Sequence, residues 1–427
     1  MKIAFIVGQF PVLSETFILN QITGLLERGH EVDIYADQPG DAKKVHPDVE
    51  KYALLERTYY LPQVPENLLL RAIQGLGLVL TGLLKDPLGV LRSLNVFRYG
   101  KQALSLWLLY SFIPNFDRQY DIIHCQFGTL AFRGMAFQQM NAPQAKLITI
   151  FRGFDISQFV QQKGRQVYET LFRTGDFFLV NCEFFARRVI ELGCDPKRIR
   201  VHLSGLDCSK FQFQPRYAPA DGPIHIVTTG RLVEKKGIEY SIRAVAQLAA
   251  THPQITYTIL GDGPLMAPFQ QLIEALNIGH IVHLAGWKTE AEIIEQLNQA
   301  HIFVAPSVTA SAGDQDAPIN VLKEAMALGL PVVSTDHGGI PELVEDGISG
   351  FLVPESDANA IAHKLVYLIE HPEIWPQMGQ AGRAYVAAHY DLAVLNDQLL
   401  ALYQSLTQPP SNAPPAQAPD LLPTYTL

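Results

Sequence analysis

Short runs of β-branched and aromatic residues alternate with amphipathic stretches from the first residue of the chain. The opening reads KIAFIV, then a stretch of helical periodicity from about Glu15 to Glu27, then EVDIYA. This order is typical of a β-α-β unit. It continues through DIIHC, KLITIF, FFLVN and IRVHL. Because these strands are apolar on both faces, the pattern predicts a parallel sheet with helices on each side.

The same alternation starts again after a proline-rich stretch at 215–223, which reads as a linker. New strands are predicted at IHIVTTG, TYTILG, IVHLAG, HIFVAP and PVVST. A chain of 427 residues is also too long for one hydrophobic core, since such cores stop growing near ~250–300 residues. We therefore predict an α/β fold of two doubly wound, Rossmann-like parallel-sheet domains. They span residues 1–214 and 215–405, with the last helices crossing back to the first domain.

Residues 66–116 interrupt the first half with two apolar segments, ENLLLRAIQGLGLVLTGLL and YGKQALSLWLLYSFI. Arg71 interrupts the first, and a membrane span needs about 20 nearly uncharged residues, so neither segment is a convincing span. The charged residues leave the insert at +3: Arg71, Lys85, Arg92, Arg98 and Lys101 against Glu66 and Asp86. Two interpretations stay open, helices lying on an anionic membrane surface or helices packed on the N-terminal sheet.

Composition is that of an ordinary globular protein, 48% hydrophobic and 18% charged with 31 Gly and 28 Pro, which excludes wholesale disorder and collagen. The four cysteines form no CxxC pair, and the N-terminus lacks the pattern of a signal peptide. We therefore expect a reducing cytoplasm. Residues 407–427 contain six prolines and are predicted to be a disordered tail.

Charge is unevenly distributed around a net value of −9, which argues against nucleic acid as the main partner. Residues 1–214 hold 24 Lys and Arg against 20 Asp and Glu, a net charge of +4, and the remainder holds 9 against 22, a net charge of −13. The basic half suits an anionic neighbour such as a bilayer or a pyrophosphate-linked lipid.

The first candidate site follows the strand IHIVTTG, in the sequence GRLVEKKGIEY. Arg231 and Lys236 lie beside a helix that opens at Gly237, an arrangement suited to a diphosphate. Solvated loop cations would look similar. The motif is neither a Walker loop nor a GxGxxG fingerprint. The sequence GDGP at 261–264 follows the next predicted strand and likewise predicts a turn before a helix.

The second candidate site is the stretch from Pro306 to Val353, which holds two acids eight residues apart. Asp316 is predicted in a loop and Glu324 two turns into the following helix. Both acids could then face a ligand at that helix's N-terminus and accept hydrogen bonds from hydroxyl groups, as when an acid binds ribose.

The order GRLVEKKG, LGDGP, HLAGW, acid-x7-acid and EAMALGLPVV followed by GGIPELV resembles the family-four retaining glycosyltransferases of the GT-B fold. The resemblance is strong over about residues 200–355. SETFILNQITGLLERGHEVDIYA is similar to the subgroup that assembles exopolysaccharides, including enzymes of the colanic-acid type. Only the insert and the tail fall outside it.

The resemblance implies a role for each matching residue. Arg231 and Lys236 would hold the donor diphosphate, Asp316 would meet the donor sugar, and Glu324 would bind the ribose. Gly8, ending the first strand, would let its loop approach the donor. The other implied donor-binding positions are Gly261, Gly263, Gly286, Trp287, Asn320 and Val321, with backbone near Gly286 and Trp287 at the base.

Three positions depart from the family pattern. Asp316 stands where the family usually has Glu, and Gln126 and Arg152 stand where many relatives have His. Arg152, predicted among the catalytic residues, can position charge but cannot act as a general base. An ion pair between Arg152 and Asp155 is the alternative, and Gln126 and Asp155 are predicted on the acceptor side.

The mechanism implied by the resemblance is front-face transfer with retention, assisted by the departing diphosphate. It needs no cofactor and no metal, and DQD at 314–316 is not interpreted as a metal site. The implied partners are a nucleotide-diphosphate sugar, a saccharide or lipid-linked acceptor and the inner face of the plasma membrane. Two alternatives stay open: a sugar-nucleotide 2-epimerase, or a non-catalytic scaffold with a degenerate donor site.

Overall fold

The computed structural model describes residues 1–41, 45–62, 64–112 and 118–408. The first half forms a seven-stranded parallel sheet. Its strands are β1 Lys2–Phe10, β2 Glu31–Pro39, β3 Thr58–Tyr60, β4 Ile122–Cys125, β5 Lys146–Phe151, β6 Phe177–Val180 and β7 Ile199–Val201. They lie in the order β3-β2-β1-β4-β5-β6-β7. The central strands are buried on both faces, as the continuous apolar runs predict.

Helices cover this sheet and form the insert between β3 and β4. They are α1 Thr16–Glu27, α2 Pro47–Lys51, α3 Leu68–Lys85, α4 Pro87–Ser93, α5 Val96–Tyr99, α6 Lys101–Leu104, α7 Trp107–Phe112, α8 Ala131–Asn141, α9 Gln158–Lys163, α10 Glu169–Thr174 and α11 Glu183–Glu191.

The second half forms a six-stranded parallel sheet in the order β10-β9-β8-β11-β12-β13. Its strands are β8 Ile224–Thr229, β9 Ile255–Leu260, β10 Val282–Gly286, β11 Ile302–Ala305, β12 Val332–Thr335 and β13 Phe351–Val353. Its helices are α12 Ile238–Leu248, α13 Met266–Ala275, α14 Glu290–Gln299, α15 Asn320–Ala327, α16 Ala358–Glu370, α17 Trp375–His389 and α18 Leu392–Thr407.

The predicted fold class of two doubly wound parallel-sheet domains is confirmed. In each sheet the strand order reverses beside the first strand, at β1 and at β8. In open α/β sheets, ligands bind in the crevice outside the carboxyl ends of the strands at this point. The sequence pattern did not predict β3 and β13, which have three residues each and lie at the edges of their sheets.

The chain passes between the two halves twice, and the two crossings are joined. Leu206 donates its N–H to the Tyr390 carbonyl, and Leu392 donates to the Leu206 carbonyl. Beyond this point α18 packs on the first half, where Leu399 and Tyr403 are buried in its core. The helix reaches Thr407, the first residue of the segment predicted to be disordered, and 409–427 lie outside the described residues.

A carboxylate of the second half also binds the first half directly. Glu342 accepts the backbone N–H of Glu183 at 2.7 Å through one oxygen and that of Phe184 at 2.7 Å through the other. Both N–H groups belong to the first turn of α11. The contact holds the halves together at this edge, because it satisfies donors that a helix N-terminus leaves unpaired.

The insert divides into a packed part and an exposed part. YGKQALSLWLLYSFI is not one long helix: α6 and α7 are separated near Leu106, whose φ is 59°. Leu108 and Leu109 of α7 are buried in the core of the first half. By contrast, only Gly75 and Gly82 of the 18 residues of α3 are buried. By length and composition α3 could cross a membrane.

Candidate active site

Two lysines and two aspartates form a cluster where α12 begins. The turn after β8 ends at Gly237, whose φ is 60°. Lys236 Nζ lies 2.8 Å from Asp316 Oδ2, and Lys235 Nζ lies 3.3 Å from Asp316 Oδ1 and 2.8 Å from Asp314 Oδ2. Burial by itself would raise the pKa of Asp316, but the two lysines hold it well below its ordinary value. Asp316 is therefore ionised at neutral pH and can accept hydrogen bonds.

A histidine positions the loop that carries Asp316. The backbone N–H of Asp316 donates to His337 Nε2 at 2.9 Å, and His337 Nδ1 lies 2.6 Å from Glu355 Oε1. Because Nε2 accepts, the ring proton lies on Nδ1 and is donated to Glu355. Ser307 Oγ also donates to Asp316 Oδ2 at 3.1 Å. The loop acid is thus held through both its backbone and its side chain.

Arg231 is exposed in the loop that follows β8. Among the described residues it forms no ion pair within 4.0 Å, in contrast to Lys235 and Lys236. It does act electrostatically on Glu15, the residue before α1. Burial raises the pKa of Glu15, while Arg152 and Arg231 lower it. Arg231 is therefore an available cation close to a residue of the opposite half.

Glycine is required where the two loops of the second sheet meet. A Cβ atom at Gly261 would lie 1.9 Å from the Gly230 carbonyl oxygen, and one at Gly263 would lie 2.6 Å from the Leu232 carbonyl oxygen. The tight packing of these loops accounts for both glycines. Their predicted role in donor binding stays a prediction.

Glu324 lies apart from the lysine cluster, in a small open pocket between the halves. It is the fifth residue of α15, so it lies about one turn into the helix and not two. The pocket is lined by Thr16, Asn20, His46, Gly205, Leu206, Asp207, Lys210, Phe211, Glu290, Asn320 and Glu324. Asp316 is not among these residues, so the two acids have different surroundings.

The surroundings of Glu324 bring the pKa of its carboxyl group close to neutral pH. Burial raises its pKa to about 7, Lys323 lowers it and Glu290 raises it. Lys323 is completely buried, and its burial lowers its pKa to about 7. Lys323 Nζ donates to the Ser204 carbonyl at 2.7 Å, in the first crossing between the halves.

Arg152 is buried in the first half and held by three neighbours. Its Nη2 donates to Gln126 Oε1 at 2.9 Å, and its Nη1 donates to Ser204 Oγ at 3.1 Å. Its guanidinium carbon lies 4.1 Å from the centre of the Phe17 ring. Burial lowers the pKa of Arg152 to about 9, so the guanidinium is still charged at neutral pH.

The ion pair proposed as the alternative role of Arg152 is wrong. Asp155 instead accepts the backbone N–H groups of Arg152 and Gly153 on Oδ1, at 3.0 Å each, and that of Gly128 on Oδ2 at 2.7 Å. The carboxylate is used to organise the loop backbone, which leaves the guanidinium for Gln126 and Ser204. Arg152 and Gln126, both predicted at the site, are in direct contact.

The prediction that Gly8 ends the first strand is wrong, because β1 continues to Phe10. Within the part of the chain that the structure describes, no atom lies within 4 Å of a Cβ atom built at Gly8 or at Gly286, so neither position is closely packed there. Trp287 is 44% exposed. Asn320 and Val321 are the first two residues of α15.

Sequence reasoning missed Lys235, His337, Glu15 and Lys323. Lys235 stands next to Lys236 in EKKG, so the motif itself contained that signal. The others depend on packing between distant segments, which no local pattern shows.

Within the described ranges, no cluster of three His, Cys, Asp or Glu residues could hold a metal ion.

Comparison with protein families and curated sequences gives matches over most of the chain. Residues 14–210 match Glycosyltransferase Family 4, and residues 209–385 match Glycosyl transferases group 1. WcaL of Salmonella typhimurium, named as a colanic acid biosynthesis glycosyltransferase, is 36% identical over 95% of this chain and 100% of its own length. The amylovoran biosynthesis glycosyltransferase AmsK of Erwinia amylovora is 34% identical over the same shares.

Solved structures show the same two-domain fold. The crystal structure of Anabaena HepE in complex with UDP has a TM-score of 0.70 and 18% identity, covering 95% of this chain and 100% of HepE. Sucrose-phosphate synthase of Thermosynechococcus elongatus has a TM-score of 0.67 and 20% identity, covering 95% and 99%. The resemblance to the GT-B fold stated from the motifs is confirmed.

Proposed function

Because the chain belongs to the Family 4 and group 1 glycosyltransferases, we propose that it is a retaining hexosyltransferase of exopolysaccharide assembly. It moves a hexose from a nucleotide-diphosphate sugar to a hydroxyl of a lipid-linked saccharide acceptor. The names of the relatives WcaL and AmsK support the exopolysaccharide assignment. The observation that carries the donor assignment is the available cation Arg231 beside Lys236 at the start of α12.

The diphosphate binds between Arg231, Lys236 and the N-terminus of α12. Arg231 has no competing carboxylate within ion-pair distance among the described residues. The Lys236 ammonium has three N–H donors, and the described contact uses one, to Asp316. The helix adds unpaired N–H groups and a partial positive charge, which favour an anion.

The two acids bind different parts of the donor. Asp316, kept ionised by its lysines, accepts hydroxyl groups of the donor sugar close to the diphosphate. Glu324 accepts a ribose hydroxyl in the pocket between the halves. Their separate surroundings support this division. An acid in the lysine cluster and an acid in the pocket between the halves can each bind a different group of one extended ligand.

Transfer proceeds on the face from which the diphosphate departs. Arg231 and Lys236 stabilise the charge that develops on the leaving group, and a phosphate oxygen helps to accept the proton of the incoming hydroxyl. Preorganised charges of this kind supply much of the rate in many enzymes. We propose that the reaction is metal-independent, since these side chains already supply the cationic charge.

We also propose that Gln126, Asp155 and Arg152 border the acceptor side. The enzyme would work as a peripheral protein on the inner face of the plasma membrane, where a lipid-linked acceptor is held.

The test is incubation of the purified chain with UDP- and GDP-hexoses, with and without a lipid-linked acceptor. Transfer predicts free nucleotide only when acceptor is present, and a product with the donor's anomeric configuration by NMR. Isomer interconversion would identify an epimerase, and tight nucleotide binding without turnover would identify a scaffold; either result would overturn the proposal.

Variants then assign the residues. Arg231→Ala and Lys236→Ala should each lower the rate by about 10²- to 10³-fold, typical of losing one preorganised contact. Arg243→Ala is the matched control: Arg243 is an exposed cation of α12 whose one ion pair with the described residues is to Glu239 of the same helix. A wild-type rate in either test variant would refute the diphosphate assignment.

A further inference from the structure

The first half carries an exposed row of large apolar side chains along α3. We call this row the apolar crest: Leu69, Ile73, Leu76, Leu80 and Leu84, which are 73, 63, 62, 59 and 89% exposed. Their spacing of three or four residues places them on one side of the helix. Neighbouring residues of α4 and α5 extend the exposed apolar surface, with Leu88 62% exposed and the Phe97 side chain fully exposed. A surface of this kind marks an interaction site.

The opposite side of α3 is fixed to the protein. Gly75 and Gly82 are its buried residues, and a Cβ atom at Gly75 would lie 2.9 Å from Leu106 Cδ1. Tyr110 Oη, on the buried helix α7, donates to the Arg71 carbonyl at 2.7 Å. The helix is therefore held along the surface of the domain, so it can lie on a membrane but cannot cross one without breaking these contacts.

Charge next to the crest favours an anionic partner. Lys85, Arg92, Arg98 and Lys101 are exposed. Asp86, one of the two acids of the insert, is occupied as the cap of α4, where it accepts the Gly89 N–H at 3.0 Å. The insert has a net charge of +3. Two copies of this surface would repel each other, whereas an anionic bilayer is attracted.

We infer that the apolar crest inserts into the interfacial layer of an anionic bilayer while the flanking cations bind lipid headgroups. This deepens the membrane association of the proposed function by naming its surface and its mode. Of the two interpretations of the insert given by the sequence, packing on the domain applies to α7, and our inference assigns the membrane surface to α3. Insertion also means that attachment depends on leucines as well as on charge.

The test is flotation of the full-length chain with vesicles of phosphatidylcholine, with and without phosphatidylglycerol. The crest variant changes Leu69, Leu76, Leu80 and Leu84 to Ser. Each inserted leucine is worth roughly tenfold in partitioning, so binding should fall by at least about 100-fold. The matched control changes Leu55, Ile348 and Val394 to Ser; these are 50, 51 and 51% exposed and lie outside the insert. The control should bind like the wild type.

Charge is tested separately by changing Lys85, Arg92, Arg98 and Lys101 to Gln. Each cation contributes roughly fivefold on an anionic surface. In about 1 M salt, where the Debye length is ~3 Å, the wild type should keep binding through its leucines. Release that is complete in salt would contradict insertion.

Other outcomes also test whether the apolar crest inserts into a bilayer. A crest variant that floats like the wild type refutes the inference, as does a lipid-free wild-type oligomer that the crest variant dissociates. Resistance of the cell-associated protein to alkaline carbonate would identify a span instead. If the crest variant fails to fold, a polarity-sensitive dye at Leu84→Cys should shift blue on anionic vesicles, and the same dye at Ile348→Cys should not.

The readout is independent of catalysis. A crest variant that no longer floats but still transfers sugar to a soluble acceptor analogue at the wild-type rate supports the inference. A wild type that binds vesicles and transfers no sugar would refute the proposed function and leave the inference standing.

Discussion

Glu342 is predicted to control how the two halves stay together. Its two carboxylate oxygens accept the N–H groups of Glu183 and Phe184 at 2.7 Å each. A glutamine has one acceptor oxygen, and its amide nitrogen would face an N–H donor. Glu342→Gln therefore keeps the shape of the side chain, loses at least one of the two hydrogen bonds and removes the charge at the N-terminus of α11.

The size of the effect follows from these contacts. A hydrogen bond to a charged group contributes about 1.5–3 kcal/mol, and a charge at a helix N-terminus contributes about 0.3–1 kcal/mol. Glu342 is only half-buried, so we expect a net loss of about 2–3 kcal/mol between the halves. This shifts the equilibrium toward separated halves by roughly 30- to 150-fold.

Small-angle scattering and a fluorescence distance between dyes on the two halves measure the separation. Glu342→Gln should increase both the radius of gyration and the dye distance, and should lower kcat/KM because the site includes residues of both halves. Glu345→Gln, three residues away and exposed, is the control. A Glu342→Gln protein with the wild-type radius and wild-type kcat/KM would refute the reasoning.

Three further predictions concern the two acids and the buried lysine. Glu324→Gln should weaken binding of the nucleoside diphosphate alone, whereas Asp316→Asn should weaken only the intact nucleotide sugar; calorimetry that finds equal losses for both ligands in both variants would contradict the division. Because burial raises the pKa of Glu324 to about 7 and only the ionised carboxylate accepts hydrogen bonds through both oxygens, wild-type donor affinity should rise from about pH 6 to 8, and should stay level in Glu324→Gln. Lys323 has a lowered folded pKa of about 7 against 10.5, so the unfolded chain binds more protons between these values and the contribution of Lys323 to stability rises with pH there. Lys323→Met should therefore raise the free energy of unfolding by on the order of 2–4 kcal/mol at pH 7, with the gain disappearing near pH 10.5 in denaturant titrations.

Local features of the site were predictable from the sequence. Strand β8, the turn that ends at Gly237 and the first residue of α12 all lie within fifteen residues of one another, and their signals are strand periodicity, a glycine and adjacent cations. The hydrogen-bond partners of the site residues were predicted less well. Asp155 is three residues from Arg152 and was the obvious candidate for an ion pair, but its oxygens bind backbone N–H groups. Gln126 reaches Arg152 because β4 and β5 are neighbours in the sheet.

The sequence by itself determined that this chain builds two parallel sheets covered by helices, because apolar runs and turns act over a few residues and repeat along the chain. It also determined the family, through motifs whose order is local. Only the tertiary structure decided that Glu342 binds α11, that Lys323 is buried under a crossing segment, and that the apolar crest of α3 faces outward while Gly75 packs against α7. These outcomes depend on which surfaces meet after the sheets have formed, and the partners involved are up to 159 residues apart.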